Sequence, residues 1–262
     1  MNTDKDLGNR AFMQRLLRRW VGEIDEPLRV SHFDDGEPVR RPFAEEGVEA
    51  AVELWQQEGR SPFLARRKSP RQMVVIDWRA ERGLDKRPFP WSCTVWLSPQ
   101  AGDTLTKKLF RFLIEEFEPV FGSVTTYEDR LAKHLVEWDD PLGRTSQMMG
   151  RDPGETIPGI YWQTYFGPWA LEKIGLEKFH EIADAAKEQT GGGLLVQLYE
   201  PGRLAGSPEA REREAAVRRA LGEENFFDPA QVDIESLKTK PADAAQVESL
   251  IGAMKARKGE DQ

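Results

Sequence analysis

The sequence predicts an α+β protein: a mainly antiparallel sheet flanked by helices, in a single domain with a C-terminal helical arm. Three stretches predict it. Phe89, Trp91, Cys93, Val95 and Leu97 alternate with Pro90, Ser92, Thr94, Trp96 and Ser98, the period of two that a strand with distinct faces repeats. Leu105, Leu109, Phe112, Leu113 and Phe117 recur at helical spacing. Residues 158–175 then pack five aromatics, three glycines and two prolines into eighteen positions, joining a large buried area to tight control of the backbone.

Taken in order, Met13, Leu16, Leu17 and Trp20 give residues 11–21 one apolar helical face, and Arg15, Arg18 and Arg19 crowd the other, as on a solvated surface helix. Residues 28–33 suit a short first strand, followed by the turn-prone acids Asp34, Asp35 and Glu37 around Gly36. Glu45 and Glu46 open a helix with Val48, Ala51, Val52 and Trp55 on one face, ended by Gly59. The basic run Arg66, Arg67, Lys68, Arg71 lacks interleaved aromatics and is expected to be a solvated loop. Val74, Val75, Ile76 and Trp78 form a buried strand that pairs antiparallel with residues 89–97 across the polar stretch 80–88. On that alternation Cys93 falls on the apolar face, as a core thiol rather than a nucleophile.

Asp103 or Thr104 caps the helix that stops before Pro119, and its late acids Glu115, Glu116 and Glu118 are expected to be solvated. A strand over 122–125 leads to Thr126, with Asp129 three positions on, a capping pattern. Leu131, Leu135 and Trp138 line the following helix, with His134 packed near its edge. Residues 139–157 show no period and suit a recognition loop or a linker.

In the 158–175 stretch, Ile160, Trp162, Thr164 and Phe166 alternate with Tyr161, Gln163 and Tyr165, a strand covered on both faces. Pro158 and Gly159 lead into it. Gly167 turns the chain, Pro168 starts a helix of about two turns, and Gly175 stops it. Phe179, Ile182, Ala183 and Ala186 predict a further helix, ended by Gly191, Gly192 and Gly193. That glycine run precedes the strand 194–199, the reverse of the order that cradles a phosphate. Ser207 and Pro208 open a charged helix over 209–221. The domain thus spans 1–228, and 229–262 form a polar arm whose weak helix carries Val247, Leu250, Ile251 and Met254.

Composition narrows function. The 37 lysines and arginines against 45 acids leave a net charge of -8, which argues against a free-standing nucleic-acid binder and points to a basic partner. One cysteine rules out an internal disulfide and a cysteine-based zinc site. The first ten residues lack a signal pattern and no apolar run is long enough to span a membrane, so a cytoplasmic protein is expected. The three histidines, His32, His134 and His180, are far apart, and no GxSxG, HExxH, CxxC or GxxxxGK[ST] occurs. No acid stands two positions before a lysine, which removes the restriction-type metal nuclease. The pairs Asp34–Asp35 and Asp139–Asp140 lack the spaced ligands of a calcium loop, so neither metal nor cofactor is expected.

The order of the second half resembles bacterial immunity proteins. Phe121, Gly122, Ser123, Val124 and Thr125 are followed by a helix and a long loop. Then come Pro158, Gly159, Ile160, Tyr161 and Trp162, then Phe166, Gly167, Pro168 and the Gly175 stop. This is similar to the type VI secretion immunity family that neutralises VRR-Nuc nuclease effectors, and to a neighbouring immunity family paired with restriction-endonuclease-like toxins, which has a like P-G-x-Y-W block. Element order matches over roughly 28–228; the specific motif is 158–175. The resemblance implies a non-enzymatic antitoxin that binds its cognate nuclease toxin and blocks the active site or DNA groove, and it identifies no contact residues. Those are sought instead in acidic turns near aromatics: Asp34, Asp35 and Glu37, and Glu137, Trp138, Asp139 and Asp140. The rivals are a hydrolase or transferase with a site dispersed around Tyr161, Trp162 and His134, recognisable by a deep polar pocket with two titratable groups in contact, and an adaptor of the secretion apparatus.

Overall fold

Strands of alternating burial pair edge to edge until they form one twisted sheet. The computed structural model describes residues 1–56, 61–77, 91–140, 143–151, 153–183 and 185–238. In chain order the first half holds β1 (Asn2–Thr3), α1 (Arg10–Arg18), β2 (His32–Asp34), β3 (Arg41–Pro42), α2 (Phe43–Gln56), β4 (Phe63–Arg66), β5 (Gln72–Asp77), β6 (Trp91–Leu97) and α3 (Gly102–Phe117). The second half holds β7 (Phe121–Val124), α4 (Tyr127–His134), β8 (Leu135–Asp140), β9 (Gly143–Met148), β10 (Gln163–Phe166), α5 (Pro168–Ile174), β11 (Ala186–Thr190), β12 (Gly193–Gln197), α6 (Pro208–Leu221) and α7 (Ile234–Leu237). Ten strands form one sheet in the order β11-β12-β10-β7-β1-β6-β5-β4-β2-β3, every ladder antiparallel, and β8-β9 make a separate ribbon. The fold is therefore the α+β class that the patterning predicts.

The antiparallel pair β5–β6 stands as expected, with Ile76 opposite Cys93. The Cys93 thiol is 2% exposed, and burial pushes its pKa up to about 12, which suits a core residue. Trp78 and the connection 80–88 lie outside the described residues, as do Phe89 and Gly59. The joint of the sheet was not legible: the two residues of β1 bridge β6 and β7, and too short a strand shows no period. Apolar side chains gather on both sides of that joint, around Trp20, Trp55 and Phe117 in one cluster and Trp162, Phe166 and Phe179 in the other. Helix α3 serves both halves, because Phe110 and Ile114 leave its predicted stripe to pack with Tyr165 and Leu195.

Several local expectations are corrected. The first predicted strand shifts to His32–Asp34, because Glu26–Leu28 coil into a short 3-10 turn. Arg66 is 6% exposed, not solvated, and its guanidinium holds the Glu26 carboxylate at 3.1 Å and the Glu26 carbonyl at 3.0 Å. Glu116 is 3% exposed; Arg15 of α1 and Arg19 just past its end, far off in sequence, grip it. Asp103 makes no cap and instead accepts the Gly202 N–H at 2.9 Å. The helix carrying Leu131 ends at His134, and Leu135 and Trp138 belong to β8. Half of the supposed loop 139–157 is thereby a hairpin. The predicted helix from Phe179 to Ala186 is a 3-10 turn, Leu176–Glu181, before the edge strand β11. Gly191 and Gly192, at φ 55° and 76°, make the left-handed turn between β11 and β12 rather than a helix stop. The predicted arm helix around Val247 lies outside the described residues.

Candidate functional site

The hub organises the site. Residues 157–167 are buried without a break, but only Gln163–Phe166 pair as a strand, and 158–160 lie against α4 and α6. Gly167 caps α5, Pro168 opens it, and Gly175 closes it at φ 94°, as the motif predicts. Trp162 is fixed by its indole N–H, which donates to the Tyr199 carbonyl at 2.9 Å.

Lys133 stands at the centre of a buried polar network. Its ammonium donates to Asp129 at 2.7 Å, to Glu214 at 2.7 Å and to the Ile160 carbonyl at 2.8 Å, and lies 4.5 Å from the centre of the Tyr161 ring. Tyr199 donates its hydroxyl to the other Glu214 oxygen at 2.7 Å. Burial raises the Glu214 pKa above the ordinary carboxylate value, and Lys133 pulls it back down. One helix turn sets Asp129 and Lys133 together at i and i+4, a spacing readable in the sequence. Glu214 comes from a distant helix and left no local signal.

Beside it, His134 Nδ1 sits 2.8 Å from the Met149 carbonyl, which can only accept, so that nitrogen carries the proton. The neutral Nε2 then accepts the Tyr161 hydroxyl. The imidazole lies between Tyr161 and Phe227, stacked at 27° and 17°. His134 is 1% exposed, and burial lowers its pKa to about 4, while burial pushes the Tyr161 pKa up. With its folded pKa below the ordinary 6.5, His134 takes up its proton in the unfolded chain first. Its contribution is therefore intact above pH 6.5 and fades as pH drops towards about 4, a loss approaching ~3 kcal/mol. Urea titrations across that window should show a slope that His134→Gln removes.

A cleft of about 290 Å³ opens over the network, between α4, the hub and α6. Lys133 and Glu214 lie at its lining with Pro158, Gly159, Arg211 and Arg218, whereas His134 and Tyr161 do not reach it. Two titratable groups are thus in contact at a polar cleft, the feature named above for a dispersed enzyme site. Both are committed: Lys133 has three acceptors and both Glu214 oxygens have donors.

The predicted contact residues fall into two separate places. Asp34 ends β2 and is used by its own turn, accepting the Asp35 N–H and the Arg40 N–H at 3.1 Å each, while Glu37 is exposed. Glu137 and Asp139 are exposed on one face of β8; Glu137 pairs with Arg144 at 2.9 Å and Asp139 lies opposite it in register. Asp140 is half-buried, and Trp138 is only 8% exposed, with no partner for its indole N–H among the described residues. Trp138 therefore braces the ribbon from beneath instead of facing outward. The β8–β9 ribbon follows α4, which leaves β7, five strand places from β2, or about 24 Å along the sheet.

No protein-family model, curated protein or solved structure matches this chain. Among the described residues, no group of three or more His, Cys, Asp or Glu side chains is placed to hold a metal ion, and no helix is long and apolar enough to cross a membrane.

Proposed function

We propose that this protein is a cytoplasmic antitoxin that binds a nuclease effector of a bacterial secretion system, of the VRR-Nuc or restriction-endonuclease-like kind, and covers its active site or DNA groove. The observation that carries the reading is the β8–β9 ribbon: it stands outside the main sheet, and β8 turns Glu137 and Asp139 to solvent on one face. A nuclease needs a basic cleft to hold phosphates, and a negative protrusion competes with DNA for that cleft. The chain's net charge of -8 adds long-range attraction.

Survival of cells co-expressing the nuclease encoded beside this gene tests the reading. Glu137→Lys with Asp139→Lys should weaken the complex by roughly 10–100-fold, with a larger effect at low salt. The same reversal at Asp35 and Glu37 reports on the second acidic group separately. Rescue unchanged by both reversals would remove the interface assignment. Rescue absent with the unaltered protein would remove the function and favour the adaptor.

The cleft favours a second reading, a small-molecule hydrolase or transferase. Against it, Lys133, Glu214 and His134 are each held by internal partners: the lysine is bound to two carboxylates, Glu214 is paired with that lysine, and the acceptor nitrogen of His134 already takes the Tyr161 hydroxyl.

A further inference from the structure

Donors without an acceptor stand at the cleft, while each of its carboxylates already holds donors from the protein. Its two lining carboxylates are used, Glu214 by Tyr199 and Lys133, and Asp228 by the Ala230 N–H at 2.9 Å and the Gln231 amide at 3.1 Å. Its guanidiniums keep donors to spare. Arg211 has no side-chain partner among the described residues, and Arg218 spends one N–H on the Phe227 carbonyl at 3.3 Å while resting on the Phe226 ring. Both arginines project from α6 at i and i+7, on the face that also carries Glu214. The amide N–H groups of Gly159 and Ile160, two buried residues at the same lining, also lack an acceptor among the described residues. A buried amide without a partner costs free energy, and an incoming acceptor would relieve it.

From this surplus of donors we infer that the cleft is a binding site for a small carboxylate carried on an apolar body. A guanidinium fork matches a carboxylate in two parallel hydrogen bonds. Ala132, Ala215 and Phe227 supply the apolar wall, and about 290 Å³ admits only a ligand at the small end of the usual range. The Lys133 network fixes the floor rather than binding, since its donors are already committed. This inference does not rest on nuclease inhibition, and a failure of either leaves the other standing.

The test titrates benzoate into the full-length protein and follows its backbone amide resonances, with benzamide as the neutral isostere and inorganic phosphate as the anion without an apolar body. Benzoate should shift Gly159, Ile160 and Ala215 together. Arg211→Gln, at an exposed position without side-chain contacts among the described residues, should weaken it roughly tenfold, because glutamine keeps a donor but removes the charge and the fork. Benzamide and phosphate should bind much more weakly. Benzamide binding as well as benzoate, phosphate binding as well as benzoate, an Arg211→Gln protein of unchanged affinity, or shifts confined to other parts of the chain would each overturn the assignment.

Discussion

Lys133→Met is expected to destabilise the protein by about 3–5 kcal/mol in urea unfolding at pH 7, the cost of breaking a buried ion pair from one side. Methionine keeps most of the lysine stem, so little of the loss is packing. What remains is two carboxylates facing each other without their cation, with the Asp129 side chain 0% exposed and the Glu214 side chain 4% exposed. Three signatures identify that cause. The loss should shrink in acid, where protons can neutralise the orphaned pair. Glu214→Gln should recover part of it when added to Lys133→Met, though harmful alone, a non-additivity that only residues in contact show. The Ile160 carbonyl would also lose its donor, loosening the hub at the start of its sheet strand. Equal stability of Lys133→Met and the parent would mean that the network contributes nothing to the fold.

Gly167→Ala is expected to cost at least ~3 kcal/mol, for a different reason. The backbone at Gly167 is extended, with φ -72° and ψ 179°, a conformation open to any residue. Space is what fails. An added Cβ would meet the Pro119 carbonyl oxygen at 2.2 Å and Val120 Cα at 2.8 Å, and these are main-chain atoms that cannot rotate away. Relief requires moving the end of β10 away from residues 119–120, which breaks the hydrogen bond from the Gly167 N–H to the Val120 carbonyl and strains the Phe166–Phe121 register. Gly154→Ala, where nothing lies within 4 Å, is the control and should change stability by no more than about 0.5 kcal/mol. Matching losses in the two variants would show that the motif glycine is not there for close approach.

The parts of the fold that could be read from the sequence are those encoded by neighbours in the chain. Alternation marked β5 and β6, Thr126 caps α4 by accepting the Asp129 N–H, and Ser207 caps α6 just ahead of Pro208. The 158–175 stretch proved central because its aromatics fill one core cluster and its backbone crosses the polar network. Misreadings came where one pattern serves two structures. Leu131, Leu135 and Trp138 keep helical spacing, yet Val136 and Trp138 also alternate, and the strand prevails because both bury on the ribbon's inner face. The 191–193 glycines suit a helix end or a hairpin equally, since both need left-handed backbone. Burial of Glu116, Arg66 and Glu214 was beyond local reading because each is compensated by a partner distant in sequence. The acidic contact candidates were visible as a composition, but which of them face outward depends on the ribbon, and Trp138 changed sides with it.

The polar network and the acidic ribbon meet in one place. The same α4 that contributes Asp129 and Lys133 to the network continues directly into β8, so the buried pairings set the direction in which the acidic ribbon leaves the body. His134 closes that junction, bonding Met149 just past the end of β9 at the base of the ribbon, and the Met149 N–H returns to the His134 carbonyl at 2.8 Å. A rigid base under an exposed charged strand is what a pre-organised inhibitor requires, because ordering a loop on binding would subtract from affinity.

The most direct test of the proposed inhibition is DNA cleavage by purified nucleases encoded in the neighbourhood of this gene, titrated with the purified protein at low and at high salt. The account predicts cleavage falling to zero at stoichiometric protein, with affinity that declines as salt rises and declines further when Glu137 and Asp139 are reversed. Undiminished cleavage in the presence of excess protein would contradict it.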